Sequence, residues 1–208
     1  MQLVLTEDQE LLAKTAADFV AENSPVARVR VLRDANDPDG FSRALWKQMA
    51  ELGWVGIPFP ESLGGAGMGI AELAVVLEEL GRNLAPEPFL STVLLAGGVL
   101  QLAGSEAQQK RWLEPAVQGD AFLALAQQER ASRFDLHRVA TRAEAAGGGY
   151  RLTGEKIAVL DGAAADALIV VARTAGADDD RSGISLFLVP ASAPTWQPAR
   201  STSAARTR

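Results

Sequence analysis

Near residue 120 the spacing of apolar residues changes from helical to strand-like, and this change constrains the fold more than any other feature of the chain. Upstream, Thr6-Glu-Asp-Gln9 has the form of a capping box, in which the Thr hydroxyl and the Gln side chain each satisfy a backbone N–H at a helix start. Leu12, Ala16, Phe19 and Val20 then share one helical face. Phe41, Leu45, Met49 and Leu52 repeat the device, and Gly53 supplies a C-terminal stop. Residues 70–80 read as a third, mostly buried helix, residues 89–102 as a fourth, and residues 105–112 open a fifth. Downstream, residues 121–126, 139–144, 150–160, 167–172 and 184–189 read as strands, separated by turn-rich stretches such as Gly147-Gly-Gly149. Short strands without intervening helices predict an antiparallel β-barrel or sandwich. The expected fold class is therefore α+β, with an all-helical N-terminal domain over residues 1–119 and an antiparallel β domain over residues 120–190. The remainder, "ASAPTWQPARSTSAARTR", has Trp196 as its only large apolar side chain, so residues 191–208 read as a tail unable to offset its ordering entropy.

Composition narrows the function. A net charge of −6 with no Lys/Arg-rich block argues against a nucleic-acid partner. The absence of cysteine excludes disulfides, thiolate metal sites and a Cys nucleophile, and it fits a reducing compartment; the expected location is cytoplasmic. A single histidine, His137, excludes zinc sites built on several His, and no Ser/Asp constellation beside it makes a triad; no metal site is expected. Glu7 and Asp8 follow the first residues at once, which does not read as a signal peptide. The most apolar run, residues 89–103, is interrupted by Ser91, Thr92, Gly97, Gly98 and Gln101. A spanning helix needs about 20 apolar residues, so this run reads as a core helix, with no membrane span expected.

Two stretches stand out. In "GIPFPESLGGAGMGIAEL", Gly64, Gly65, Gly67 and Gly69 form a loop without the Gly-Lys-Ser/Thr of a phosphate cradle, which reads as a turn between helices. In "LALAQQERASRFDLHRVA", residues 123–140, an apolar strand runs into Gln127, Gln128, Glu129, Arg130, Ser132, Arg133 and Asp135. Such a segment is either the rim of a site or a solvated loop.

Four segments carry a family resemblance. "ELGWVGIPFPESLGGAGMGIAELAVVLEELGR" resembles the N-terminal helical domain of acyl-CoA dehydrogenases, and "EAQQKRWLEPAVQGD" the stretch leading into their middle β domain. "YRLTGEKIAVLDGAAADALIVVART" is similar to a hairpin of that domain, and "ISLFLVP" to its later strand. The resemblance covers about residues 5–190 with the motifs in order. It implies oxidation of an acyl-CoA thioester to enoyl-CoA with FAD, an electron-transfer flavoprotein as acceptor, and a homo- or hetero-oligomer. The family's base is a Glu of a C-terminal helical domain that this chain lacks, so the resemblance implies no catalytic residue here and a truncated chain inactive by itself. Glu78, Glu79 and Glu87 read as solvated or helix-end carboxylates. After "FLVP" the apolar alternation of a further strand is missing, as in a truncated or frame-shifted end.

The resemblance also implies a cofactor site. The family's flavin strand, Thr-Glu-Pro-x-Ala-Gly-Ser-Asp, overlays on residues 128–135, keeping Glu129 and Asp135. It places Gln128 at the flavin-binding Thr and Phe134 at a Ser near flavin and substrate. The family's Trp-Ile-Thr overlays on Ala158, Val159 and Leu160, with Gly154 and Lys156 matching ahead of it. The implied cofactor-binding residues are thus Gln128, Phe134, Ala158 and Leu160, with the usual polar or aromatic contacts changed. The form QxERxSRxD resembles small subunits of heteromeric, pimeloyl-CoA dehydrogenase-like enzymes. Two alternatives follow: a non-catalytic partner subunit of a heteromeric acyl-CoA dehydrogenase, and an acyl-binding helical module resting on helices 70–80 and 89–102.

Overall fold

In the computed structural model of the chain, the Thr6 hydroxyl accepts from the Gln9 N–H at 3.3 Å, and the Gln9 side-chain carbonyl accepts from the Thr6 N–H at 3.1 Å. This reciprocal box starts α1, Glu7–Asn23, as the sequence predicts. The structure describes residues 4–132 and 134–193. It divides into two compact units, Met1–Ala124 and Leu125–Arg208. Residues 194–208, most of the expected tail, lie outside the described residues.

In the first unit, Ala16 and Val20 of α1 are buried, and α1 packs against α4, Ile70–Arg82, which buries Leu73, Val75, Val76 and Leu80. Ile70 is exposed at the first turn of this helix. The helix α2, Val26–Asp34, was not legible, because VARVRVLRD alternates apolar and charged residues and has no helical stripe. It buries no residue. Its Arg28 instead reaches the Glu87 carboxylate at 2.5 Å and the Ser24 hydroxyl at 2.9 Å. Ser42 caps α3, Arg43–Glu51, and Phe41, Leu45 and Met49 are buried. Leu52 falls beyond the helix and is exposed, while Gly53 at φ +80° provides the left-handed stop.

The glycine-rich loop is a turn that consumes its own donors. The N–H groups of Gly65, Ala66, Gly67 and Met68 go to the carbonyls of Pro60, Gly56, Phe59 and Ile57. At Gly65 a Cβ would lie 2.1 Å from the Phe59 carbonyl oxygen, so only glycine fits there. The expected fourth helix begins as a π-helix, Phe89–Gly97, and continues as α5, Gly98–Ala103. Its Thr92 hydroxyl both accepts from the Leu123 N–H and donates to the Leu123 carbonyl, each at 3.1 Å. The fifth helix, α6, spans Glu106–Val117 behind a Ser105 capping box and carries Pro115 inside it. Phe41, Trp46, Phe89 and Phe122 form an aromatic core, with ring centroids 4.9–5.8 Å apart along their contacts.

The second unit is built on one five-stranded sheet: β1 Leu123–Ala126, β2 Arg142–Ala146, β3 Gly149–Thr153, β4 Ala167–Arg173 and β5 Ile184–Pro190. Gly147 and Gly148, at φ +57° and +83°, close the β2–β3 hairpin in a two-residue turn. β4 is buried at all seven positions, as a central strand should be. It pairs antiparallel with β5 and also neighbours β1 and β2. The third predicted strand stops at Thr153, and residues 154–160 leave the sheet.

The expectation of an antiparallel barrel or sandwich is corrected here. The described strands form a single mixed sheet, because β2 meets β4 in parallel at Arg142↔Arg173. The cause lies in Arg173, which is 1% exposed. Its N–H donates to the Thr141 carbonyl at 2.8 Å. Its guanidinium donates to the carbonyls of His137, Val139, Ala175, Asp178, Asp180 and Ser182. Those bonds draw residues 137–141 alongside the end of β4 in the parallel sense, a pairing that periodicity cannot specify. Among the described residues no helix is long and apolar enough to cross a membrane.

Replacing Arg173 by Met removes this fan and leaves buried carbonyls without donors. At roughly 1–3 kcal/mol for each group left unsatisfied, Arg173→Met should lower stability by about 3 kcal/mol or more. Chemical denaturation of the variant checks this, with a lowered midpoint as the expected outcome.

Candidate functional site

The rim that the sequence singles out is organised by a buried carboxylate. Glu129 is 7% exposed, although it lies among polar, solvated residues. Its Oε2 accepts from the Ala140 N–H at 2.8 Å. Its Oε1 accepts from the Thr141 N–H at 3.1 Å, the Thr141 hydroxyl at 2.6 Å and the Lys156 ammonium at 2.6 Å. Lys156 also donates to the Gln127 carbonyl at 3.2 Å, and the Ile157 N–H donates to the Gln128 carbonyl at 2.8 Å. Three segments, 127–129, 140–141 and 156–157, are thereby laced around one side chain. Gly154 permits the approach, since a Cβ there would lie 2.5 Å from the Thr141 hydroxyl oxygen.

The electrostatics follow from this packing. Burial alone pushes the Glu129 carboxyl up, but the Lys156 ammonium, the Thr141 hydroxyl and the two backbone N–H groups outweigh it and hold the pKa at about 2. Burial also draws the Lys156 ammonium below its ordinary value, and the partnership with Glu129 works in the opposite direction.

The four residues implied as cofactor contacts are distributed around this knot. Gln128 and Ala158 are exposed and flank the Ile157–Gln128 backbone bond, which brings their two segments side by side. Ala158 adopts φ +49°, an uncommon conformation for a residue other than glycine. Leu160 is 47% exposed and Phe134 92% exposed, and that bond does not gather them in. The cleft beside Gln127, Gln128, Ser132 and Asp135 encloses only about 10 Å³, so this is an open face.

Other carboxylates are accounted for. Glu78 and Glu79 pair with Arg82 at the end of α4, consistent with a helix-end role. Glu87 corrects the expectation of a solvated carboxylate: its side chain is fully buried, paired with Arg28, and accepts from the Ser42 N–H at 3.4 Å. Among the described residues no group of His, Cys, Asp and Glu is arranged to hold a metal ion. Sequence reasoning noted that Glu129 and Lys156 match the flavin motifs but did not pair them, and it missed Thr141 and Arg173 altogether. The available signal was that a Glu and a Lys each matched a motif; nothing in the sequence indicated that they touch.

Two family descriptions match the chain: "Acyl-CoA dehydrogenase, N-terminal domain" over residues 6–120 and "Acyl-CoA dehydrogenase, middle domain" over residues 109–207. The acyl-CoA dehydrogenase FadE27 of Mycobacterium tuberculosis is 39% identical over 74% of this chain and 38% of its own length. The benzylmalonyl-CoA dehydrogenase of Aromatoleum aromaticum is 32% identical over 93% of this chain and 50% of its own. Among solved structures, the ChsE4–ChsE5 complex of Mycobacterium tuberculosis contains a chain with 34% identity and a TM-score of 0.79, matching 93% of this chain and 50% of that one. The chain thus spans half or less of the length of these relatives.

Because the folded pKa of Glu129 is depressed, its contribution to stability is present above the ordinary carboxylate value of 4.5 and is lost as pH falls through about 2. In acid denaturation between those limits, the wild-type chain should lose on the order of 2 kcal/mol more than Glu129→Gln. Equal pH slopes in the two proteins would show that the carboxylate is not held ionised.

Proposed function

Because the chain belongs to the acyl-CoA dehydrogenase family, we propose that it supplies one face of a flavin site in an enzyme that oxidises an acyl-CoA thioester to its α,β-unsaturated product. The observation that carries this reading is the locked framework of residues 127–129 and 156–157, which sets Gln128 and Ala158 side by side on an exposed rim. A flavin needs hydrogen-bond partners along its polar edge and a flat apolar wall. The Gln128 amide offers both a donor and an acceptor. Leu160 and Phe134 offer exposed apolar surface, and Ala158 leaves the main chain approachable. The neighbouring cleft is too small to enclose a ring, so these residues fit one face of the cofactor. FAD, when bound, supplies the acceptor for the hydride that leaves the β-carbon of the thioester.

The chain's own residues bind and orient; they do not supply the base. The two buried carboxylates are committed elsewhere. Glu129 is held ionised at a pKa of about 2, too acidic to take an α-proton, and Glu87 is clamped by Arg28. In this reading the α-proton goes to a carboxylate outside the described residues. We assign that carboxylate, and the second face of the flavin, to further protein: a partner subunit in a homo- or hetero-oligomer, for which the two-component ChsE4–ChsE5 relative is the supporting case. Acyl-CoA is the substrate of this assembly and an electron-transfer flavoprotein its acceptor. In this reading the chain is an FAD-dependent acyl-CoA dehydrogenase component without turnover of its own.

One feature favours a second reading, an acyl-binding helical module. A cleft of about 400 Å³ lies in the first unit, lined by Leu12, Trp54, Ile57 and Met68, with Gln9 hydrogen-bonded to Glu72 at 2.7 Å on its rim. Its volume falls in the lower part of the range for small-molecule sites.

Purifying the chain and recording its visible spectrum tests the main reading. The expected outcome is flavin absorbance with the chain or with a co-purified partner, and no acyl-CoA-dependent reduction of an artificial electron acceptor by the chain alone. A chain that takes up no FAD in either state yet binds a fluorescent fatty acid would favour the helical module instead. Turnover by the isolated chain would show that it contains a base.

A further inference from the structure

We infer that Glu129 and Lys156 act as positioning residues for the flavin, holding the two rim segments in the register that the cofactor reads. The inference rests on the flavin reading above and deepens it by naming what sets the rim's geometry. Neither side chain reaches the exposed rim itself: Glu129 is 7% exposed and the Lys156 side chain 5%. They act through Gln127, Gln128 and Ile157.

The segment that carries Ala158 and Leu160 needs such a device. Residues 154–160 lie outside every strand, so no ladder fixes them. Ala158 at φ +49° and Asp161 at φ +53° hold left-handed conformations that cost non-glycine residues roughly 1 kcal/mol or more. Such conformations persist only where surrounding contacts impose them. Three contacts join residues 155–157 to the opposite rim. The Arg130–Glu155 pair, at 3.3 Å, is exposed at both ends, and exposed pairs contribute little. The Ile157–Gln128 backbone bond fixes one point. The Lys156 ammonium, bonded to both the Glu129 carboxylate and the Gln127 carbonyl, fixes a second, and two points define an orientation.

The carboxylate end is equally determined. Thr141 gives both its N–H and its hydroxyl to Glu129, while its carbonyl takes the Arg173 N–H. The rim is thus anchored to the end of β4 through a continuous set of hydrogen bonds. A buried ion pair adds little net stability over an apolar pair of similar volume, and its best-attested use is to specify one arrangement. That is the role assigned here.

The test titrates FAD into the full chain by flavin fluorescence, for the wild type, Lys156→Met, the isosteric Glu129→Gln and Val76→Ala. Val76 is buried in α4 of the first unit and belongs to neither rim segment, so Val76→Ala weakens a core without altering a rim residue. A sheet-core variant would not serve, because Val159 of the rim segment packs against Val170 and its neighbours. Thermal melting is recorded for each. Lys156→Met and Glu129→Gln should lose FAD affinity by about tenfold or more, the scale expected when binding groups are misplaced by a fraction of an ångström to an ångström. Val76→Ala should melt at lower temperature with its affinity retained. If Lys156→Met does not fold, Glu129→Gln carries the comparison. Affinity within about twofold of wild type in the rim variants, or a parallel loss in Val76→Ala, overturns the positioning role while leaving the flavin reading intact. A wild-type chain that binds no FAD, alone or with its partner, overturns both.

Discussion

The buried guanidinium of Arg173 is the interaction on which the second unit depends. It sits at the end of the most buried strand and donates to six main-chain carbonyls drawn from two loops. A positive charge removed from water is costly unless every donor finds an acceptor. Here carbonyl dipoles supply that compensation, and the rigid fork of the guanidinium spreads it over residues 137–139 and 175–182. The loops are ordered as a consequence. The parallel contact between β2 and β4, the hydrogen bond to Thr141 and the placement of Glu129 against Thr141 all follow from where that fork pulls the chain.

Each unit buries one carboxylate and pairs it with a cation. Glu87 meets Arg28 and the backbone N–H of Ser42; Glu129 meets Lys156, Thr141 and the backbone N–H of Ala140. In enzymes a buried carboxylate is often kept poised to accept a proton, which requires its pKa to be raised toward neutrality. The Glu129 site does the reverse. Three hydrogen bonds from Ala140 and Thr141 and the Lys156 ammonium stabilise the ionised form, making it a structural anion rather than a base.

The departures from the family's flavin motifs gain meaning from the same geometry. Leu160 lacks the hydroxyl of a Thr, and Ala158 lacks the ring of a Trp, so in the proposed flavin site side-chain contacts would be reduced at these two positions. The framework beneath them is intact: Gly154 admits Thr141, and Lys156 reaches across to Glu129. Support is retained where the side chains depart from the family's motif.

The sequence by itself determined the change from helices to strands, the start of α1 and the family, but not α2, whose residues carry no apolar stripe. Those features are local: a capping box such as Thr6–Gln9 needs four residues, a helical stripe such as Leu12 to Val20 needs two turns, and the family motifs are contiguous strings. The hydrogen-bond partners of the candidate rim were only half legible, since Glu129 and Lys156 matched separate motifs without any sign that they touch. Strand direction was not legible. The parallel meeting of β2 and β4 depends on a guanidinium in β4 pairing with carbonyls more than thirty residues earlier in the chain, which no periodicity encodes. Nor was the burial of Glu87 and Glu129: a carboxylate in a polar string reads as solvated until its cation is placed beside it. Tertiary structure made those choices, because the free energy of a buried charge is set by neighbours in space and not by neighbours in sequence.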